Sequence, residues 1–328
     1  MVSLVVPVDN VAPYVGECLQ SIAQQTHARI EAIVVDDGST DGGGMLCDEV
    51  ASRDHRVRVF HSENRGLSAA RNFGLAHVRG DFVLFVDSDD WIEPNAVEAL
   101  VSSAVSHDAD IVVCRYTRER LDGTSVVYPK PDAYAMYTHD EGLHALVCDG
   151  YIPEPAWGKL FRRELLSSFE FAEGFVCEDV EGVWKVFDRA RRVCCVTDVL
   201  FHYRERADSI TSVVSTEMLA GRWRAFSGRY RGLSGRSRHL HDATLRQCAG
   251  TVVYAHTQLS LFSKGERESI AAEMEEMRLF VREHSLEVLL TPTIPLRSKL
   301  AFLLARWNGP MAVAAFSRSY RVRQWLEG

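Results

Sequence analysis

The run Phe82-Val83-Leu84-Phe85-Val86 passes without a break into Asp87-Ser88-Asp89-Asp90-Trp91. Its apolar half reads as a strand buried on both faces. The acidic half cannot follow it into the interior, because unpaired buried charge is costly. Those carboxylates either form a solvated turn or hold a cation. Closely spaced oxygen ligands suit hard ions such as Mg²⁺ or Mn²⁺, which often lie between a carboxylate and a diphosphate.

The same change from apolar to polar recurs along the first ninety residues. Strand-like runs fall at Val2–Val6, Ile30–Val35, Val57–Phe60 and Phe82–Val86, separated by helix-like segments at Val11–Gln25, Gly42–Arg53 and Leu67–Val78. These lengths fit right-handed βαβ crossovers and predict an α/β fold with a mostly parallel sheet flanked by helices. Ligands of such sheets bind beyond the carboxyl ends of the strands. At those ends stand Pro7-Val8-Asp9-Asn10, Asp36-Asp37-Gly38-Ser39-Thr40-Asp41, Glu63-Asn64-Arg65-Gly66 and Asp87-Ser88-Asp89-Asp90. Asp36 and Asp37 offer acceptors to a base or sugar, while Ser39, Thr40 or Asp41 serves equally as a helix N-cap. Arg71 comes early in its helix, either to meet an anion at this rim or to sit solvated on the surface. Neither a G-x-G-x-x-G fingerprint nor a Walker A loop follows the first strand, which argues against dinucleotide oxidoreductases and P-loop enzymes.

Further along, a helix is expected over Asn95–His107, strands at Asp110–Tyr116 and Ser125–Tyr128, a loop over Tyr128–Tyr137 and a helix around Asp140–Cys148. Trp157, beside Gly158 and Lys159, suits either the core or stacking on a sugar face. Val180, Val183, Trp184 and Phe187 have helical spacing and put Glu178 and Asp179 in a first turn. There they act as caps favoured by the helix dipole, or as a base for a hydroxyl proton. Short strands at Val193–Val196 and Val199–Phe201 precede a loop from His202 to Ile210. In it Arg204 and Arg206 are placed to meet a pyrophosphate, and His202 a metal or a hydrogen-bond partner.

In order and spacing these motifs resemble a bacterial family 2 glycosyltransferase of GT-A fold. The resemblance rests on Val5-Val6-Pro7-Val8-x-Asn10, Val34–Asp41, Glu63-Asn64-x-Gly66-Leu67-Ser68-Ala69-Ala70-Arg71-Asn72, Val86–Trp91 and Glu178-Asp179. It covers residues 1–210, taken as the GT-A catalytic domain, with 211–328 a mainly helical C-terminal region. It implies a nucleotide-sugar donor, most often a UDP-sugar, and transfer with inversion to a glycan or lipid-linked acceptor in cell-surface polysaccharide synthesis. By the same resemblance Asp37, with Asp36, reads the uracil and Arg71 contacts the donor. Asp87 and Asp89 form the D-x-D pair that touches the ribose and the diphosphate-bound Mg²⁺ or Mn²⁺. Asp179 is the general base. Pro7, Asn64 and Ser88 belong to the matched donor-site motifs. Lys159 with Trp157, and Arg204 with Arg206, are carried over as donor or acceptor contacts. Asp9 stands where the family commonly has Tyr, removing a ring from beside the base.

The formal net charge of −8 argues against nucleic acid as the main partner. The eight cysteines include no C-x-x-C pair, so reduced thiols and a cytoplasmic location are expected. Met1 leads straight into a strand, so no leader peptide is expected, and no apolar run approaches the ~20 residues of a membrane span. Beyond Thr211, helices are expected over Leu219–Leu233, Leu240–Phe262 and Arg267–Leu290. From Val288 to Leu326 there is no acid, while Arg297, Lys299, Arg306, Arg318, Arg321 and Arg323 are interleaved with aromatic and aliphatic residues. This stretch either meets anionic lipid at the inner face of the cell membrane or packs on the catalytic domain or a second copy of the chain. Two other functions compete with sugar transfer. A sugar nucleotidyltransferase is disfavoured because Pro7–Pro13 is not a Gly-rich basic loop. A non-catalytic nucleotide-sugar-binding or scaffold protein is disfavoured by the presence of both Asp89 and Asp179.

Overall fold

The computed structural model describes residues 1–128, 135–174, 176–207 and 214–305. Pro129 and Pro131 of the expected loop, and Arg306, Arg318, Arg321 and Arg323 of the basic stretch, lie outside them. The chain divides into two compact units. The first comprises Met1–Leu146, Tyr151–Gly174 and Gly182–Ser209, and the second Val147–Gly150, Phe175–Glu181 and Ile210–Gly328.

The first unit is built from β1 (Val2–Val8), α1 (Ala12–Ala23), β2 (Ile30–Asp36), α2 (Gly43–Arg53), β3 (Val57–His61), α3 (Leu67–His77), β4 (Phe82–Phe85), β5 (Trp91–Ile92), α4 (Ala96–Ser106), β6 (Ile111–Glu119), β7 (Ser125–Tyr128), β8 (Ala135–Thr138), α5 (His139–Val147) and β9 (Lys159–Arg162). After α6 (Glu178–Phe187), whose first turn belongs to the second unit, β10 (Arg192–Arg204) completes it. The sheet order is β3-β2-β1-β4-β9-β6-β10-β5, with β7 on β6 and β8 on β10. β1 is parallel to both neighbours and sets Val5 opposite Ile33 and Phe85. β1, β2 and β4 are wholly buried apolar strands apart from a few polar positions, as central parallel strands between helix layers require. β9 then enters antiparallel to both β4 and β6. The sheet is thus parallel from β3 to β4 and mixed beyond β4.

Helix α1 starts just after β1 because Pro13 fixes φ in the first turn, where no N–H partner is needed. Val15, Leu19 and Ile22 face the core with the strand residues. The buried Gln25 ties the end of α1 to α4, donating to the Glu93 carbonyl at 2.7 Å and accepting from the Val97 N–H at 2.9 Å. Helix α3 lies flat on β1 at Gly74, where an added Cβ would come 2.5 Å from Val5 Cγ1.

The second unit is helical: α7 (Thr216–Leu233), α8 (Arg238–Gln258), α9 (Lys264–Ser269), α10 (Ala271–Leu290) and α11 (Leu296–Ala305). Ser215, Ser237 and Ser263 cap α7, α8 and α9, the last in a full capping box with Glu266. Trp223, Leu245, Val252, Met277, Val281 and Phe302 form its core. Among the described residues no helix is long and apolar enough to cross a membrane. All eight cysteines are free thiols.

Candidate functional site

The carboxyl ends of β1, β2 and β3 are joined by a net of hydrogen bonds. Asn10 takes a left-handed φ of 51°, a conformation Asn tolerates. Its side-chain oxygen accepts from the Thr40 N–H at 2.9 Å, and its own N–H donates to Ser39 Oγ at 3.1 Å. Asp41 accepts from the Ala12 N–H at 2.7 Å and the Gly43 N–H at 2.9 Å, and so caps the starts of two helices. Asp36 accepts from the Ser39 N–H at 3.1 Å and lies 2.8 Å from His61 Nδ1, while His61 Nε2 is 3.1 Å from Asp48. Burial works to raise the Asp36 carboxyl, but the bonds from Ser39 and His61 outweigh it and hold it below the usual range. Asp37 is 2% exposed, and its two oxygens accept from the Ser62 hydroxyl (3.1 Å), the Arg65 N–H (3.0 Å) and the Gly66 N–H (2.6 Å). Both acids thus hold the rim loops in shape. Asn64 is exposed beside Gly38, whose positive φ and close approach to the Asn64 backbone leave no room for a side chain.

The acidic turn follows β4. Asp90 N–H donates to the Asp87 carbonyl at 3.0 Å, closing a tight turn into β5. Arg71, 1% exposed, reaches from α3 to donate to Asp87 Oδ1 at 2.9 Å, with its guanidinium 5.3 Å over the Phe171 ring. Asp89 pairs with Arg206 at 3.2 Å. Burial pushes the Asp89 carboxyl up, the Asp87 charge adds to this, and Arg206 opposes it. Asp90 is buried; one oxygen accepts from the Arg204 N–H at 2.8 Å and the other has no partner. Burial, then the charges of Asp89 and Asp87, push its carboxyl well above the ordinary range, which favours a neutral acid at the base of the turn. Ser88 is buried between the pair, and Pro7 is buried in β1. Asp9 is exposed and accepts only from the adjacent Asn10 side chain among the bonds described.

A stack of rings and cations closes one side of this turn. Arg204 lies 4.6 Å from the Trp91 ring centre and 5.2 Å from that of Tyr14, and Arg206 lies 5.2 Å from the same Tyr14 ring. Arg204 also donates to the Asp89 carbonyl at 2.9 Å and to Glu17 at 2.5 Å. Tyr14 and Glu17 were not singled out by the sequence, and Trp91 entered only as the last residue of the acidic motif. The only signal for Tyr14 and Glu17 was the proline that starts α1 at the rim.

Elsewhere the structure gives expected site residues other surroundings. His202 is on β10, not in a loop, and stacks on Trp91 at 4.8 Å. Its Nε2 lies 2.8 Å from Glu93, and its Nδ1 lies 2.7 Å from Thr117 Oγ1 and 3.2 Å from Glu119. Both nitrogens are therefore engaged where a metal ligand needs an open lone pair. Lys159 is 0% exposed, its ammonium donating to the Pro155 carbonyl at 2.6 Å, so it presents no surface to a ligand. Trp157 is core: it stacks on Phe201 at 4.7 Å and on Tyr203 at 5.5 Å. Asp179 stands in the first turn of α6, within the second unit. Among the described residues no three His, Cys, Asp or Glu side chains gather as a metal-holding group. A cavity of about 780 Å³ lies in the second unit, among Ser237, Arg238, His241, Asp242 and Glu287, and includes no residue expected from the sequence.

A parallel half-sheet carrying an acid pair after its fourth strand, joined to a mixed second half, defines the fold class of the GT-A glycosyltransferases. Residues 3–167 match the model of glycosyl transferase family 2, and the chain belongs to that family. It is 38% identical over 219 residues to the glycosyltransferase GlyA of Streptococcus pneumoniae and 37% identical over 215 residues to the putative glycosyltransferase EpsH of Bacillus subtilis. These matches take in 65% and 64% of this chain, but only 32% of GlyA and 62% of EpsH. The chain thus spans less than two thirds of either relative. Among solved structures it is similar to S. aureus TarS 1–349 in complex with UDP-GlcNAc, with a TM-score of 0.68 and 22% identity over 98% of this chain and 91% of that one. It is also similar to the mannosyltransferase PcManGT from Pyrobaculum calidifontis in complex with GDP-Man and Mn²⁺, with a TM-score of 0.53 and 18% identity over 94% and 86% of the two chains.

Proposed function

We propose that this chain is an inverting glycosyltransferase that moves a sugar from a UDP-sugar to a hydroxyl of a glycan or lipid-linked acceptor in cell-surface polysaccharide synthesis. The observation that carries this reading is the acid pair Asp87 and Asp89 at the end of β4, each set against an arginine delivered from a different element. The same turn is chemically suited to a nucleoside diphosphate: Arg204 and Arg206, which are less deeply buried than Arg71, supply charge for phosphate oxygens. That the TarS structure holds UDP-GlcNAc agrees with a UDP-sugar donor.

The donor chemistry of the acid pair suits a divalent ion. Asp87 and Asp89 offer an ion oxygen donors only, and each already shares its charge with an arginine that an ion would compete with. Asp87 and Asp89 would hold Mg²⁺ or Mn²⁺, which when bound offsets charge on the leaving diphosphate. The chain's own part is to bind and aim. Arg71 fixes Asp87, Arg206 fixes Asp89, and Arg204 fixes the backbone of the turn. In the displacement the acceptor oxygen forms the new bond to the anomeric carbon while the bond to the diphosphate breaks, and Asp179 takes the hydroxyl proton. Asp179→Asn is expected to cut transfer by about two to four orders of magnitude while leaving UDP binding within about twofold. UDP release over a panel of UDP-sugars, beside calorimetric UDP binding, measures both. Equal loss of both would make Asp179 a binding residue, and no release from any nucleotide sugar would end the enzyme reading.

A further inference from the structure

Helix α1 turns one face to the acidic turn. Tyr14, Glu17 and Cys18 stand at i, i+3 and i+4, the spacing that sets side chains next to one another on a helix. The buried Cys18 thiol lies 3.7 Å from the Asp87 carbonyl. Glu17 accepts from Arg204 at 2.5 Å. Tyr14 gives its ring to two cations, the guanidinium carbons of Arg204 and Arg206 each lying 5.2 Å from the ring centre.

Those two arginines grip one residue. Arg204 donates to the Asp89 carbonyl at 2.9 Å, and Arg206 pairs with an Asp89 carboxylate oxygen at 3.2 Å. They stand two positions apart at the end of β10 and just beyond it, and they carry like charges that repel. The negative face of an aromatic ring attracts a cation, so one ring in contact with both offsets that repulsion where the acids need them. The ring is in turn held by the opposite part of the rim. Val11 accepts from the Tyr14 N–H at 2.9 Å, and Asp41 accepts from the Ala12 N–H at 2.7 Å, which ties the first turn of α1 to the loop after β2.

We propose that Tyr14 is a positioning residue, whose ring sets where Arg204 and Arg206 stand and, through them, how Asp89 is aimed at a nucleoside diphosphate and its divalent ion. The inference rests on the reading of the acidic turn as a donor site. The test is calorimetric binding of UDP with Mn²⁺ to the full chain. Tyr14→Leu keeps apolar bulk but removes the ring, and should raise the Kd about fivefold or more, each cation–π contact being worth about twofold to thirtyfold. Tyr14→Phe keeps the ring and should stay within about twofold of the wild type. In an Arg206→Gln background Tyr14→Leu should raise the Kd by a smaller factor, because one of the two cations that the ring serves is gone. Tyr14→Phe carrying successive ring fluorines keeps the shape while draining negative charge from the ring face. Across that series the Kd should climb step by step, which decides the matter even if the leucine variant fails to fold. A flat fluorine series overturns the proposal. So does a folded Tyr14→Leu variant that binds UDP like the wild type, or an equal loss with and without Arg206. A wild type with no affinity for UDP would instead end the donor-site reading, and this inference with it.

Discussion

Asp36 and Asp37 are neighbours of one type, and the structure gives them separate tasks. Asp37 spends both oxygens on the N–H groups of Arg65 and Gly66 and the hydroxyl of Ser62. Removing it takes a charged acceptor from three part-buried donors, so Asp37→Ala should lose about 1–3 kcal/mol of stability, visible in urea denaturation without any nucleotide present. An unchanged midpoint would show that the carboxylate is free for a ligand. Asp36 is tied to His61, whose protonated form is favoured by hydrogen bonds to Asp36 and Asp48 against a smaller cost of burial. A histidine raised in the folded state stabilises fully below its unfolded pKa and loses that contribution as pH rises through the folded value. The Asp36 carboxyl, depressed on folding, contributes above its unfolded pKa and loses that contribution as pH falls through the folded one. The pair therefore supports the β2–β3 rim between the acidic range and neutrality. The stability gap between wild type and His61→Asn should shrink as pH rises from about 6 to about 9; a constant gap would remove the charge argument.

At the level of elements, the β1, β2 and β4 strands were legible because a strand buried on both faces has to be an apolar run. The mixed half was not. Lys159-Leu160-Phe161-Arg162 has no such run, yet β9 is a central strand whose end residues carry polar tips on mostly buried stems. β10 reads as two short strands because Thr197 and Asp198 interrupt the apolar pattern, whereas the ladder continues through register shifts between Cys195 and Phe201. That continuity puts His202 in a strand. The site's acids were legible as a strand ending in carboxylates, but their partners were not: nothing local in the sequence relates Tyr14 to Arg206. Trp157 was open between core and sugar stacking, and only the neighbouring Phe201 and Tyr203 rings decide for the core. Close packing of α3 on β1 makes a prediction of its own. Gly74→Ala should cost about 1–3 kcal/mol through a displaced Val5, more than alanine's gain in helix propensity of about 1 kcal/mol. A raised melting midpoint would mean that the helix slides without penalty.

For the whole molecule, ligand linkage tests the proposed donor site. A ligand at about a hundred times its Kd adds about 2.7 kcal/mol to the folded state. UDP with Mn²⁺ should therefore raise the melting midpoint by several degrees, and more than the sum of either alone, because Asp87 and Asp89 already face arginines and are only two of the oxygens an ion needs. Asp89→Ala should erase the excess over UDP alone. An additive response in the wild type would count against a shared site. The arginines that balance these acids also impose an order on the chain's synthesis. Arg204 bonds Asp90 across 114 positions, and Arg206 reaches Asp89 from farther still. A ribosome that has released everything through β9 has delivered the central strands but neither of these cations. Until they emerge, three crowded carboxyls repel one another with only Arg71 to restrain them. Nascent chains halted before Arg204 should consequently carry a sheet whose rim has yet to set, and the proposed donor site is expected to form only after β10 and Arg206 have left the tunnel.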